Sequence, residues 1–221
     1  MRSFPDVPVA VFLDMDGLLV DTEPYWLEVE RELMAEFGVI WQDSDQLFCL
    51  GGPMEKVGRY MSELAGGKED SQWFARELID RMANKFKSVT LMPGISGLLE
   101  EIAELNIPSA LVSASPRRLV DSVLLSIDNH PFALSISADD VERGKPHPDP
   151  YLKAAMLLGV EINDSLVIED SPTGVAAARS SGAWVIAVPH IASIREEDRS
   201  AVIQSLEGHS LNSLWKLVRS R

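Results

Sequence analysis

Cysteine is nearly absent from this 221-residue chain, and Cys49 stands alone. A single thiol excludes an intramolecular disulfide, fits a reducing compartment, and is read as a small buried hydrophobe. Long apolar runs are missing as well. None approaches the roughly 18 residues that a membrane-spanning helix requires, and Met1-Arg2-Ser3-Phe4-Pro5-Asp6 lacks the apolar centre of a signal peptide. Basic charge is scarce: 20 Lys and Arg stand against 34 Asp and Glu, for a formal charge of −14. That balance excludes nucleic-acid and anionic-membrane partners, whose phosphates must be neutralised by clustered Lys and Arg. Small anionic substrates remain open to a site that brings its own metal. There is no internal repeat and no low-complexity segment, and His130, His190 and His209 have no metal-ligand spacing. What is present, 46% hydrophobic and 24% charged residues, is ordinary for a globular protein. A monomeric, soluble, cytoplasmic protein is expected.

The stretch around which the chain is organised is Val9-Ala10-Val11-Phe12-Leu13-Asp14-Met15-Asp16-Gly17. An apolar run of strand length with no alternation reads as a parallel strand buried on both faces. Residues i and i+2 of an extended chain share a face about 7 Å apart, so Asp14 and Asp16 are aimed together while Met15 looks away. Two carboxylates so placed require a cation between them, a shared proton, or full solvation in a turn.

Asp21-Thr22-Glu23-Pro24 can cap a helix, and Trp26, Val29, Leu33 and Phe37 then recur at steps of three and four. Two further helices are read from Val57, Tyr60, Met61 and Leu64, and from Phe74, Leu78, Met82 and Phe86. Residues 21–90 therefore form an all-helical insert. From Met92-Pro93-Gly94 onward, helix and strand alternate. Strands are expected at 109–112, 132–137, 165–168 and 184–188, and helix faces at Ile95–Ile102, Leu119–Leu124, Tyr151–Leu158, after Ser171-Pro172, and around Leu211, Leu214 and Val218. Alternation of this kind predicts an α/β fold, a Rossmann-like doubly wound parallel sheet built from 1–20 and 91–221.

In such a sheet ligands bind beyond the carboxyl ends of the strands. Here those ends carry Asp14 and Asp16, Ser113, and Glu169-Asp170, while Lys145 sits in the proline-rich loop Gly144-Lys145-Pro146-His147-Pro148-Asp149 before a helix. Each residue alone has a bland reading: a turn serine, a surface lysine, two acids at a helix N-terminus. As a set they form a divalent-metal and phosphate site. Mg²⁺ takes hard carboxylate oxygens, and a hydroxyl and an ammonium suit an anionic phosphoryl group. Asp139-Asp140 and Glu196-Glu197-Asp198 are read as solvated acidic faces.

These residues, in this order along essentially the whole chain, resemble the motifs of the haloacid dehalogenase superfamily, in the branch of helical-cap phosphatases and sugar-phosphate mutases related to β-phosphoglucomutase. The resemblance rests on Asp14-Met15-Asp16-Gly17, Ser113, Gly144-Lys145-Pro146 and Ile168-Glu169-Asp170-Ser171-Pro172-Thr173-Gly174. It implies that Asp14 attacks phosphorus and that Asp16 is the acid/base. It implies Mg²⁺ held by Asp14, Asp16, Asp170 and Glu169, and a phosphoryl clamp of Ser113 and Lys145 with Met15 and Ala114. It further implies that 21–90 is a mobile cap in which Glu23, Gly51, Gly52 and Lys56 read the substrate. Asp at 16 argues against dehalogenation. Met54 and Trp26 stand where the sugar mutases carry an arginine and a histidine, which favours phosphohydrolase over phosphomutase.

Overall fold

The computed structural model describes residues 6–49, 54–87, 89–190 and 192–220. It divides the chain into two compact units, Met1–Asp21 with Thr90–Arg221, and Thr22–Val89.

The first unit is a six-stranded, wholly parallel sheet: β1 (Val11–Leu13), β2 (Ser109–Val112), β3 (Leu134–Ile136), β4 (Leu166–Glu169), β5 (Trp184–Ala187) and β6 (Ser200–Val202), in the order β3-β2-β1-β4-β5-β6. Its helices are α5 (Ile95–Glu104), α6 (Arg117–Ser126), α7 (Asp149–Leu158), α8 (Pro172–Ser181) and α9 (Leu211–Arg219). Helices on both faces explain why β1 reads as continuous apolar sequence: Val11, Phe12 and Leu13 are all fully buried. Ala10 and Phe12 belong to a cluster with Tyr151, Ala154 and Ala155 of α7 and Val175, Ala177 and Ala178 of α8. Alanines at 154, 155, 177 and 178 let these helices lie close on the sheet. The chain runs outward from β1 through β2 to β3, then returns to lay β4, β5 and β6 on the other side. The order therefore reverses at β1, which puts the ends of β1, β2 and β4 next to one another.

The second unit is helical, as its periodicity predicts: α1 (Glu23–Glu36), α2 (Asp43–Cys49), α3 (Met54–Leu64) and α4 (Ser71–Lys85). Val29, Leu33, Met61, Phe74, Leu78, Met82 and Phe86 are fully buried and Val57 nearly so. Asp70 caps α4 by accepting from the Trp73 amide at 2.7 Å.

Several local readings are corrected. Helix α2 was not foreseen, because seven residues are too few for a period of 3.6 to declare itself; it is fixed by Asp45, which accepts from the Gln42 amide at 2.7 Å and the Tyr60 hydroxyl at 2.6 Å. β6 was also missed, a three-residue edge strand that prolongs the sheet beyond β5. Helix α6 begins at Arg117 with Pro116 as its cap, one residue later than Ser115-Pro116 implied. Asp139-Asp140 is not simply a solvated face. Asp140 closes a capping box on Ser137 and pairs with Arg117, and Asp139 accepts from the Arg117 amide at 2.8 Å.

Candidate active site

The site is assembled from strand ends. The Asp14 amide donates to the Ile168 carbonyl at 3.1 Å, so the pairing of β1 with β4 runs one residue past β1 and holds Asp14 beside Glu169. The chain then turns sharply. Met15 accepts through its carbonyl from the Leu19 and Val20 amides at 2.9 and 3.1 Å, and the Gly17 amide donates to Val20 at 2.9 Å. Gly17 has φ +80°, and a Cβ there would lie 2.3 Å from an Asp170 carboxylate oxygen, so glycine is required by both conformation and space. The Met15 side chain is wholly buried, which leaves only its main chain to serve a ligand.

Past β2, the Ser113 amide donates to Ile136 at 2.9 Å, and its hydroxyl donates to Asp16 Oδ2 at 3.3 Å. Ser115, which sequence reasoning treated only as a helix cap, donates to the same oxygen at 2.7 Å, and its amide donates to Ser113 Oγ at 2.9 Å. Ala114 lies exposed between them. Two hydroxyls thus converge on one oxygen of Asp16.

Asp14 has a different partner. Lys145, its side chain 3% exposed, uses its three N–H groups on Asp14 Oδ1 (2.5 Å), Glu169 Oε1 (2.6 Å) and the Val112 carbonyl (2.8 Å). One ammonium thereby ties together the ends of β1, β2 and β4. Tyr151 of α7, wholly buried, donates to Glu169 Oε1 at 2.7 Å. The Asp170 and Ser171 amides and the Ser171 hydroxyl approach Glu169 Oε2 at 3.1, 3.3 and 3.2 Å. Ser171 Oγ also accepts from the Gly174 amide at 3.1 Å as the cap of α8. Gly174 is a second requirement for glycine, since a Cβ there would fall 1.8 to 2.1 Å from the Glu169 carboxylate.

Sequence reasoning gave Tyr151 no role beside the site, and quoted Gly174 only as the last residue of a motif, without its contact to Glu169. Tyr151 has the spacing of an ordinary apolar helix position, so nothing distinguishes it from core. Beyond that motif, the signal for Gly174 is that it follows Pro172-Thr173 in the first turn of a helix, where glycine is otherwise unfavourable.

Electrostatically the site has an excess of negative charge. Oxygen atoms of Asp14, Glu169 and Asp170 lie within 4.8 Å of one another. Burial first, then the neighbouring Glu169 charge, raises the Asp14 carboxyl well above the ordinary range, with Lys145 opposing. The same causes push Asp170 up to about 7. Lys145 is held in its charged form, because the attraction of Asp14 and Glu169 outweighs the cost of burial. Three converging carboxylates with one ammonium among them are a donor set of hard oxygens with surplus charge, which suits a divalent cation and fits Mg²⁺.

The residues expected to read substrate lie in the helical unit. Glu23 opens α1 and is half-buried. Lys56 donates to the Phe48 carbonyl at 2.9 Å and sits 4.1 Å from the centre of the Phe48 ring. Gly51 and Gly52 lie outside the described residues.

The family model for haloacid dehalogenase-like hydrolases matches residues 11–188. Hexitol phosphatase B of Escherichia coli (strain K12) is 30% identical over 216 residues, 96% of each chain. The bifunctional riboflavin kinase/FMN phosphatase of Arabidopsis thaliana is 31% identical over 197 residues, 86% of this chain; the chain spans about half of that relative, 51% of its length. The crystal structure of CbbY from Rhodobacter sphaeroides in complex with phosphate superposes with a TM-score of 0.77 at 25% identity, covering 94% of this chain and 99% of that one. The chain belongs to the haloacid dehalogenase-like hydrolases.

Proposed function

We propose that this protein is a Mg²⁺-dependent phosphatase of a small phosphorylated metabolite such as a sugar phosphate, working through an aspartyl-phosphate intermediate. The observation that carries the reading is the Lys145 ammonium bound at once to Asp14 and Glu169, beside an Asp16 held by Ser113 and Ser115. The family and the relatives named above support it.

In this reading the Asp14 carboxylate attacks phosphorus, and the bond from phosphorus to the substrate oxygen breaks. Asp16 gives its proton to the departing oxygen, then takes one from the water that attacks phosphorus, which frees inorganic phosphate and restores Asp14. Ser113 and Lys145, with Met15 and Ala114, bind the equatorial phosphoryl oxygens. Asp14, Asp16 through its main chain, and Asp170, with Glu169 alongside, would hold Mg²⁺, which would supply the positive charge that lets a carboxylate approach a phosphate anion. Ser115 keeps Asp16 in line for both transfers. Substrate choice is assigned to the helical unit through Glu23, Gly51, Gly52 and Lys56.

The test is phosphate release from a panel of sugar, polyol and nucleotide phosphates with and without Mg²⁺, using Asp14→Asn as control. Metal-dependent turnover that the control abolishes is expected. Absence of turnover on every compound refutes the reading. Interconversion of a hexose phosphate primed by a bisphosphate would instead make the protein a sugar phosphomutase, an outcome that Met54 and Trp26 argue against.

A further inference from the structure

Among the acids of the site, Glu169 has both of its oxygens bound by several protein donors. Five donors converge on it: Lys145 and Tyr151 on Oε1, and the Asp170 amide, the Ser171 amide and the Ser171 hydroxyl on Oε2. A carboxylate offers about four lone-pair positions. Gly174 closes the remaining side, because even a methyl group there would overlap the carboxylate. Tyr151 is itself fixed. Its ring meets Phe12 of β1 edge-on, with centroids 6.4 Å apart, and lies 5.2 Å from the Lys145 nitrogen. The phenol is wholly buried and spends its hydrogen bond on Glu169.

We infer that Tyr151 is a positioning residue of the active site: by helping to fill the oxygens of Glu169 it makes that carboxylate the anchor of Lys145 and leaves direct coordination of the metal to Asp14 and Asp170. The inference rests on the phosphatase reading for its link to turnover, but not for its link to metal binding. A Glu169 free to swing onto the cation would release Lys145, and with it the ammonium that faces Asp14. Tyr151 prevents this by occupying the oxygen nearest Lys145. The side chain therefore acts on the reaction through Glu169 and touches no reacting atom.

Tyr151→Phe removes one hydroxyl and keeps the ring against Phe12 and Lys145. Titrating the full-length variant with MgCl₂ in a calorimeter, without substrate, reads the freed lone pair on Glu169. Mg²⁺ is expected to bind several-fold tighter than to wild type, while kcat falls on the order of ten-fold, the usual scale for loss of a group that orients a metal site. A merely structural tyrosine would leave Mg²⁺ affinity unchanged or weaker, and either result overturns the inference whatever happens to kcat. If the variant does not fold, a crystal structure of the wild type with Mg²⁺ decides. Glu169 oxygens outside the coordination distance of about 2.1 Å are expected, and a Glu169 oxygen on the metal refutes the assignment. Failure of the wild type to hydrolyse any phosphate would count against the phosphatase reading alone, since both metal measurements proceed without turnover.

Discussion

Replacing Gly174 with alanine adds one methyl group and tests whether the site is as tightly packed as its geometry states. Gly174 lies in the first turn of α8 with no positive φ, so alanine suits the backbone and by helix propensity alone would stabilise by about 0.5–1 kcal/mol. The new Cβ, however, would sit 1.8 Å from Glu169 Oε1 and 2.0 Å from the carboxyl carbon, where ordinary contact begins at 3.4 Å. The carboxylate must retreat by about 1.5 Å, far enough to break its bonds to Lys145 at 2.6 Å and Tyr151 at 2.7 Å. Overpacking costs about 1–3 kcal/mol, and a lost hydrogen bond to a charged group about 1.5–3 kcal/mol. A net loss of about 3 kcal/mol survives the propensity gain, equivalent to roughly 10 °C in a protein of this size. Gly97 in α5 is the matched control, since a Cβ there meets nothing within 4 Å. Thermal melts followed by circular dichroism should show Gly174→Ala lowered by that amount with its turnover lost, and Gly97→Ala unchanged or slightly raised. Equal shifts for the two alanines would refute the argument, because then the contact with Glu169 decides nothing.

Added Mg²⁺ should raise the melting temperature, by about 2.7 kcal/mol of stability at a hundred-fold excess over its dissociation constant. The gain should be larger at pH 8 than at pH 5, because Asp170, pushed up to about 7 chiefly by burial, is protonated at the lower pH and competes with the metal; a melt indifferent to Mg²⁺ at both values would contradict this. Lys145→Met leaves the buried Asp14 and Glu169 carboxylates without their cation and should lower stability by about 3–5 kcal/mol in chemical denaturation, and a variant as stable as wild type would refute this. In the helical unit, burial and then the Glu23 charge push Glu30, 3% exposed, from 4.5 up to about 8. Its folded value is the higher one, so its contribution to stability is complete below about 4.5 and is lost as pH rises through 8. Glu30→Gln should therefore flatten that decline and melt higher than wild type at pH 9, and parallel pH profiles for the two proteins would rule the assignment out.

The fold was legible in the sequence wherever burial writes a period. Continuous apolar runs marked β1, β2 and β4, and steps of three and four marked α1, α3 and α4. Elements too short to repeat a period, such as α2 and β6, left no such trace. Chain reversal at β1 follows from alternating helix and strand only as a class of topology, so the adjacency of Ser113, Asp14 and Glu169 had to come from the strand order itself. Residues whose chemistry is unusual at a strand end were found. Residues whose chemistry is ordinary for their position were not. Tyr151 looks like core because it is core, and its hydroxyl acquires a role only when α7 lies against β4's terminal carboxylate.

The pair with which β1 ends shows why spacing alone could not assign roles. Asp14 and Asp16 were expected on one face and are two residues apart in one turn, so symmetry of sequence predicts no difference between them. The difference comes from what the neighbouring strand ends bring. Lys145, held by the carbonyl that closes β2 and the carboxylate that closes β4, reaches Asp14 and gives it a positive partner. Ser113 and Ser115, just beyond β2, reach Asp16 and give it neutral donors. The ammonium opposes the rise that burial and Glu169 impose on Asp14 and so favours the anion that attack on phosphorus requires, whereas the hydroxyls of Ser113 and Ser115 hold Asp16 without adding charge. Setting an ammonium against Asp16 by Ser115→Lys should lower its proton affinity and, because Asp16 enters the reaction protonated, shift the alkaline limb of the kcat/KM–pH profile downward. An alkaline limb that stays in place while kcat/KM falls would mean that Asp16 is not the group that donates the proton.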